Sequence, residues 1–300
     1  MKTKLISKNK TCCRYIFILI LLLVISCAGN NNVNSNNINP VPAPSDTVKP
    51  SDTKTPSNKT PADKKENLNK VTLHLIIAAD TNDSQIGKSV AMDSKKLQKL
   101  IEDIVNQSKG ELALKKIILE GNSLNNNNLI RAIEFPKVNP NDLIIFSYSG
   151  HGHRLKSTPS RWPLMDTPGR ITDFAVVIEK IKNKNPRQFI ILADCCNALV
   201  ELPARRFLYS ARQLNYNAIK QMFVLSNIQI AASGSLPGQF SYGNNELGGI
   251  FTSSFISNLT NALLSNGSKW EELFQKTRQD VVNISGLSGN EQTPQYQRYK

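Results

Sequence analysis

The sequence predicts an α/β fold in which a mostly parallel sheet carries helices on both faces. From residue 71 onward, short apolar, β-branched segments alternate with amphipathic ones, and this alternation is typical of parallel sheets. The 300 residues are 40% hydrophobic and 20% charged, a composition that supports a buried core and excludes collagen, wholesale disorder and a protein with many membrane spans. In such a fold, ligand sites lie beyond the carboxyl ends of the strands.

Six strands and five helices account for the alternation. Each predicted strand is a short apolar run, and each predicted helix has apolar residues at a spacing of three to four. The predicted strands are 71–79, 114–119, 142–148, 188–193, 227–232 and 293–296. The predicted helices are 88–107, 127–135, 171–182, 250–265 and 268–283.

The first 26 residues are typical of a secretory signal peptide. Residues 1–26 contain five basic residues and no acidic one, and residues 15–26 are almost wholly apolar. A basic segment followed by an apolar stretch is the pattern of an exported protein, and this stretch is shorter than the roughly 20 residues of a comfortable membrane span. It ends in Val24-Ile25-Ser26-Cys27, which resembles the lipobox of bacterial lipoproteins. An ordinary cleaved signal or a short uncleaved anchor is the alternative.

The lipobox resemblance implies that Cys27 is lipidated and becomes the first residue of the mature chain. Its acyl chains would hold the protein in a lipid bilayer, because each buried methylene contributes about 0.8 kcal/mol. Ala28 stands where an aspartate would suggest retention at an inner membrane. We therefore expect a lipid-anchored, extracytoplasmic protein of the cell envelope, at the outer membrane or the cell surface.

Residues 27–69 are predicted to form a tether. Seven of the ten residues from 30 to 39 are asparagine, and six prolines follow between residues 40 and 61. Such a segment has too little apolar surface to offset its ordering entropy. The predicted organisation is a lipoprotein signal at residues 1–26, the lipidated cysteine and disordered tether at 27–69, and one folded domain at 70–300.

The formal net charge of +14 gives little support to nucleic-acid binding. Half of this excess lies in residues 1–70, and the other +7 is spread over 230 residues without a dense basic run. Nucleic-acid-binding surfaces carry a concentrated basic patch. We expect no nucleic-acid partner.

Two of the predicted strands end in residues that can carry nucleophilic chemistry. The third strand is followed by Ser149-Gly150-His151-Gly152-His153, and the fourth by Asp194-Cys195-Cys196-Asn197. An imidazole beside a thiol can accept its proton and produce the nucleophilic thiolate. The 45 residues that separate His151 from Cys196 are close to the spacing of about 50 in caspase-type peptidases.

Each motif also has a structural interpretation. A Gly-His-Gly segment is commonly a turn, and adjacent cysteines at the end of a buried strand are commonly core packing. A zinc or copper site made of His151, His153, Cys195 and Cys196 would lack the usual spacing of two to four residues between ligands, so we predict no metal. The catalytic interpretation is favoured because both motifs occur at strand ends and in the expected order.

Residues 71–300 resemble the caspase-like cysteine peptidases, specifically the bacterial relatives of metacaspases. The most specific matches are Phe146-Ser147-Tyr148-Ser149-Gly150-His151-Gly152 and Asp194-Cys195-Cys196. Supporting matches lie at residues 86–93, 233–241, 248–252 and 292–296. The resemblance implies the caspase–haemoglobinase fold, with a mostly parallel six-stranded sheet, and the activity of a cysteine-type endopeptidase.

The resemblance also implies a role for five residues. His151 corresponds to the general base and Cys196 to the nucleophile, and the backbone N–H groups of Gly152 and Cys196 correspond to the oxyanion hole. Asp93 and Asp194 correspond to the aspartates that line the pocket for the residue before the cleaved bond. Two carboxylates in such a pocket favour protein or peptide substrates with Arg or Lys at that position.

Several points stay open at the level of sequence. Asn197-Ala198-Leu199 replaces the small polar run that often follows the cysteine in the family, so a catalytically inactive caspase-fold interaction module on a lipid tether is the alternative function. Cys195 is interpreted as packing, Trp162 either walls the substrate groove or packs on its own loop, and Asp93 by itself is equally consistent with a solvated helix residue. Some relatives require calcium, the one cofactor considered, although no calcium cluster is recognisable.

Overall fold

The central feature of the fold is a six-stranded sheet, and the predicted α/β class is confirmed. The computed structural model describes residues 70–154, 160–195 and 212–300, together with the backbone of residues 197–199. Within these residues the strands of the main sheet are β1 (Val71–Ala79), β2 (Leu112–Glu120), β3 (Leu143–Ser149), β7 (Gln188–Asp194), β9 (Gln229–Ser233) and β12 (Gln295–Arg298). Each matches a predicted strand with a shift of at most about two residues at either end.

The strands are arranged as in other doubly covered sheets. Their order is β12-β9-β7-β3-β1-β2, and every pair is parallel except the antiparallel pair of β12 and β9. The central strands β1, β3 and β7 are buried over nearly their whole length. Helices cover both faces of a parallel sheet, which explains why these strands are almost continuously apolar rather than alternating.

Helices flank the sheet on both sides. In the described ranges they are α1 (Gly87–Asn106), α2 (Asn126–Glu134), α3 (Phe174–Lys182), α4 (Tyr216–Ile219), α5 (Ile250–Leu264) and α6 (Trp270–Gly286). A 3₁₀ turn at Gly121–Ser123 precedes α2, and α4 continues into a wider π turn at Lys220–Leu225. None of the helices in this part of the chain is both long and apolar enough to span a bilayer.

The core consists of one apolar layer on each face of the sheet. Residues of α1, α5 and α6 pack against one face, and residues of α2 and α3 pack against the other. The helical side chains buried in the first layer include Leu97, Leu100, Ile101, Phe251, Phe255, Leu273 and Phe274, and those in the second include Leu129, Ile133, Phe174, Val177 and Ile181. This packing holds β3 and β7 between the two layers of helices, and the two strands end at the same edge of the sheet.

The helix predicted over residues 171–182 begins later than expected. Arg170–Asp173 forms strand β6, and the helix starts at Phe174. Oδ1 of Asp173 accepts a hydrogen bond from the backbone N–H of Ala175 at 2.8 Å, so Asp173 is the N-cap. The first three predicted helical residues were therefore wrong, because the cap and the pairing of β6 with a neighbouring strand outweigh the apolar spacing.

Two small sheets extend the structure beyond β3 and β7. The strands β4 (Gly152–His153), β5 (Leu164–Thr167) and β6 form one, and β8 (Asn197–Leu199), β10 (Ser241–Asn244) and β11 (Gly248–Gly249) form the other. The sequence did not predict these strands because segments of two to four residues carry no measurable periodicity. One small sheet begins at Gly152, just after β3, and the other at Asn197, just after β7.

Candidate active site

The ends of β3 and β7 lie side by side. Ser149 of β3 pairs in register with Asp194 of β7, and the backbone N–H of Gly150 donates to the carbonyl oxygen of Asp194 at 3.2 Å. Neighbouring strands of a sheet are about 4.8 Å apart. The segments that leave these strands therefore start from adjacent positions at the same edge, as the sequence predicted.

His151 lies two residues beyond β3 and is partly accessible. Its side chain is 34% exposed, and its Nε2 lies 3.2 Å from Oδ2 of Asp83 on the loop between β1 and α1. The next histidine, His153, is paired separately, with its Nδ1 2.7 Å from Oδ1 of Asp166. The two imidazoles therefore have different carboxylate partners. Neither carboxylate could be identified from the sequence, since neither belongs to a recognisable motif.

Cys195 is part of the core, which confirms its interpretation as packing. It is 2% exposed and belongs to the apolar layer covered by α2 and α3. A Cβ atom added to Gly152 would approach Cys195 Sγ to 2.8 Å and the carbonyl oxygen of Leu164 to 2.7 Å. Gly152 thus needs to lack a side chain, because its backbone passes directly over the Cys195 sulfur.

Two of the predicted functional residues, the nucleophile Cys196 and the lipidation site Cys27, lie outside the described residues. Gly152, whose N–H is the other predicted donor of the oxyanion hole, is half-buried on β4. The roles of Cys196, Cys27 and Gly152 stay predictions at this point.

Asp93 and Asp194 come together beneath this edge of the sheet. Asp93 lies in α1 and is 2% exposed, so its interpretation as a solvated residue is wrong, and Asp194 at the end of β7 is fully buried. Both carboxylates lie next to Gly249. A Cβ atom added to Gly249 would overlap the carboxylate of Asp194 and lie 3.1 Å from Oδ2 of Asp93. The two acidic side chains thus border the same glycine.

Hydrogen bonds hold both carboxylates in place. Oδ2 of Asp93 accepts from the Ser149 hydroxyl at 2.6 Å, and its Oδ1 accepts from the Gly249 N–H at 2.8 Å. Asp194 accepts from the N–H and the hydroxyl of Thr252 and from the Ser241 hydroxyl. Gly249 is the N-cap of α5, so both carboxylates lie at the positive end of that helix, where negative charge is favoured.

Burial nevertheless opposes the ionisation of the pair. Desolvation, and then the nearby charge of Asp194, raise the pKa of Asp93 well above its ordinary value. Desolvation also raises the pKa of Asp194, against the hydrogen bonds from Ser241 and Thr252. Two buried carboxylates next to each other cannot both ionise cheaply, so an added cation would relieve their repulsion.

The family assignment follows from a comparison with known families. The family model described as the caspase domain matches residues 92–300. This chain belongs to the caspase-domain family. The matched range contains His151, Cys196 and both aspartates of the buried pair. At the level of the family, the domain is that of a cysteine peptidase.

Two solved structures to which the chain is similar are distant in sequence. The crystal structure of Caspase-1 from Spodoptera frugiperda is 15% identical, with 80% of this chain and 92% of that chain covered and a TM-score of 0.48. A structural genomics target protein from Geobacter sulfurreducens is also 15% identical, with 76% and 92% covered and a TM-score of 0.45. No curated protein sequence matches the chain.

Two glutamines order the loop that follows β9 in this caspase domain. Gln292 accepts a hydrogen bond from the Tyr242 N–H and donates to the carbonyl oxygen of Gly234. Gln295 donates to the Ser233 hydroxyl and to the carbonyl oxygen of Arg161. The sequence block at residues 292–296 therefore holds the loop after β9 in place through these hydrogen bonds.

Trp162 belongs to the core of the caspase domain. It is 7% exposed, and its ring makes an edge-to-face contact with Phe174, with centroids 5.6 Å apart. The structure therefore favours packing for Trp162, although the ring packs against α3 rather than only on its own loop. In the described ranges, no group of three or more His, Cys, Asp or Glu side chains is arranged to hold a metal ion.

Proposed function

We propose that the chain is a lipid-anchored cysteine endopeptidase with a catalytic dyad of His151 and Cys196 and a preference for Arg or Lys before the scissile bond. The register of β3 and β7 is the observation that carries the proposal. His151 follows Ser149 by two residues, and Cys196 follows Asp194 by two residues, while Ser149 and Asp194 are register partners. Matching offsets from adjacent strands favour contact between the imidazole and the thiol.

The proposed reaction uses these two side chains and one water molecule. The His151 ring takes the Cys196 thiol proton, and the thiolate attacks the scissile carbonyl carbon. The carbon–nitrogen bond then breaks, the imidazolium gives its proton to the leaving amine, and a thioester remains. Water, deprotonated by His151, attacks the thioester and releases the acid as the thiolate leaves, and the thiolate regains the proton. The N–H groups of Gly152 and Cys196 are proposed to stabilise the oxyanion in both steps.

The preference for a basic residue is supported by the buried acidic pair. Asp93 and Asp194 both carry raised pKa values, caused first by burial. A guanidinium or ammonium group would favour ionisation of both carboxylates, and Arg can bind a carboxylate through two parallel hydrogen bonds. Protein segments with Arg or Lys are therefore the proposed substrates.

Peptide cleavage tests this function. The whole chain, solubilised in detergent, is given otherwise identical fluorogenic peptides with Arg, Lys, Asp or Leu before the cleavable bond. We expect kcat/KM for the Arg and Lys peptides to exceed that for the other two by on the order of 10²-fold or more. An Asp or Leu side chain cannot balance the negative charge of the two buried carboxylates. Equal cleavage of all four, or a preference for Asp, would contradict the proposed specificity.

The proposed anchoring is tested by metabolic labelling with an alkyne-bearing fatty acid in a bacterial host. The chain is expected to carry the label and to fractionate with membranes, because acyl chains on Cys27 partition into lipid. Cys27→Ala should lose the label, whereas the matched variant Cys13→Ala should keep it, since residue 13 is proposed to leave with the signal peptide. Full labelling of Cys27→Ala would remove the lipobox assignment.

A further inference from the structure

His151 has a carboxylate partner that the family motifs do not include. Its Nε2 lies 3.2 Å from Oδ2 of Asp83, and Asp83 precedes the region matched by the caspase-domain model, which begins at residue 92. We propose that Asp83 is a positioning residue that fixes the orientation and the tautomer of the His151 ring, so that Nδ1 is the nitrogen left to act as the base. The inference rests on the proposed peptidase function and adds a third member to its dyad.

The backbone holds the Asp83 carboxylate in one orientation. Its Oδ1 accepts hydrogen bonds from the N–H groups of Gln85 and Ile86, each at 2.8 Å. Its carbonyl oxygen accepts from the N–H of Gly87, the first residue of α1, at 3.0 Å. Because Oδ1 is bound to the backbone, Oδ2 is directed at the imidazole. The carboxylate is thus fixed before any substrate arrives, as a positioning group requires.

The charge of Asp83 suits the same role. Burial opposes its ionisation, but the hydrogen bonds from Ile86 and Gln85 and the proximity of His151 outweigh burial, so the pKa of Asp83 is below its ordinary value. Asp80, on the same loop, has a raised pKa, caused first by burial and then by Asp83. Of Asp80 and Asp83, Asp83 is therefore the one whose ionised form the loop favours.

An ionised carboxylate at Nε2 determines which ring nitrogen can act as the base. A carboxylate only accepts hydrogen bonds, so the neutral ring must carry its hydrogen on Nε2 and leave the lone pair on Nδ1. Nδ1 is then the atom that takes the thiol proton, and the imidazolium formed in that step is stabilised by the adjacent negative charge. Without the carboxylate, the ring is free to hold the hydrogen on either nitrogen.

Asp83→Asn tests the role with little disturbance of the fold. The amide oxygen can still accept from Gln85 and Ile86, whereas the amide N–H₂ group replaces the acceptor that faces Nε2. The ring hydrogen must then move to Nδ1, which blocks that nitrogen as a base. We expect kcat for an arginyl peptide to fall on the order of 10²-fold or more, with KM unchanged, since an Asp-to-Asn change of this kind alters the tautomer rather than binding.

The tautomer itself is a second readout that does not depend on activity. The chain contains three histidines, so ¹⁵N-histidine labelling yields three ring systems that can be assigned by substitution. At a pH where the ring is neutral, His151 is expected to show the Nε2–H pattern in the unaltered chain and the Nδ1–H pattern in Asp83→Asn. Thermal unfolding midpoints of both proteins establish that the fold is retained.

Asp166→Asn is the matched control, because Asp166 pairs with His153 through the same kind of contact. It should leave kcat and the His151 tautomer unchanged. Wild-type kcat in Asp83→Asn, or retention of the Nε2–H pattern at His151, would overturn the proposed role. If the unaltered chain cleaves none of the peptides, the proposed function fails, and the tautomer measurement still decides whether Asp83 orients the ring.

Discussion

Cys196→Ala is expected to abolish peptide cleavage, whereas Cys195→Ala is expected to retain most of it. Removing a nucleophile that forms a covalent intermediate costs on the order of 10³-fold in kcat or more. Cys195 is 2% exposed and packs in the apolar layer beneath Gly152, so its sulfur contributes to stability rather than to chemistry. Its loss should cost about 1–2 kcal/mol of unfolding free energy.

The measurement combines kcat for an arginyl peptide with a thermal unfolding curve for each variant. Cys196→Ala should unfold at nearly the wild-type temperature despite its loss of activity. Cys195→Ala should keep most of its kcat and unfold at a lower temperature. Equal loss of kcat in both variants, with both folded, would move the nucleophile or indicate that the two sulfurs act together.

Asp93→Asn is expected to remove the preference for basic peptides. The variant loses one of the two carboxylates that we propose balance the substrate cation, while the asparagine side chain can still accept the hydrogen bond from Gly249. kcat/KM for an arginyl peptide should fall by on the order of 10²-fold, as expected when a buried charged partner is lost. The rate at which a small uncharged electrophile alkylates Cys196 should stay the same.

The preference should also depend on pH in a defined direction. Burial, together with Asp194, raises the pKa of Asp93, so its carboxyl group is protonated at a pH where an exposed aspartate is ionised. A protonated carboxyl group does not attract a guanidinium. KM for the arginyl peptide should therefore rise as the pH falls through this raised range, and the dependence should be weaker in Asp93→Asn.

Asp103→Asn provides the control for both measurements. Asp103 lies ten residues further along α1 and forms an ion pair with Lys99, so it is about 15 Å from Asp93 along the helix. Its substitution should leave kcat/KM and the pH dependence unchanged. A comparable loss in Asp103→Asn would point to a general effect of charge. Full activity of Asp93→Asn on arginyl peptides would contradict the proposed role of Asp93 in binding the basic residue of the substrate.

The apolar periodicity was sufficient to predict the main sheet and the adjacency of the two strand ends that carry the His and Cys motifs. Buried strands such as β3 and β7 are long apolar runs, and parallel strands end at a common edge, so Ser149 and Asp194 could be expected to lie close together. The burial of Cys195 was also predictable, because successive side chains of an extended chain point in opposite directions, so that one of two adjacent cysteines is expected to face the core.

The partners of the site residues were not predictable from the sequence. Asp83 meets His151 only because the loop before α1 returns to the end of β3, and no spacing rule links residues so far apart in the chain. Gly248 and Gly249 resemble ordinary turn glycines, yet the structure requires them because the carboxylates of Asp93 and Asp194 occupy the space of a side chain. Such requirements arise from tertiary packing, which local propensity does not encode.

The proposed activation of the Cys196 thiol by His151 is measured most directly by covalent labelling. The whole chain is treated with an arginyl chloromethyl ketone, and the adduct is located by peptide mass mapping. We expect an adduct on Cys196 that forms rapidly in the unaltered chain and in His153→Ala, and much more slowly in His151→Ala. An adduct on Cys195, or equal labelling of Cys196 with and without His151, would contradict it.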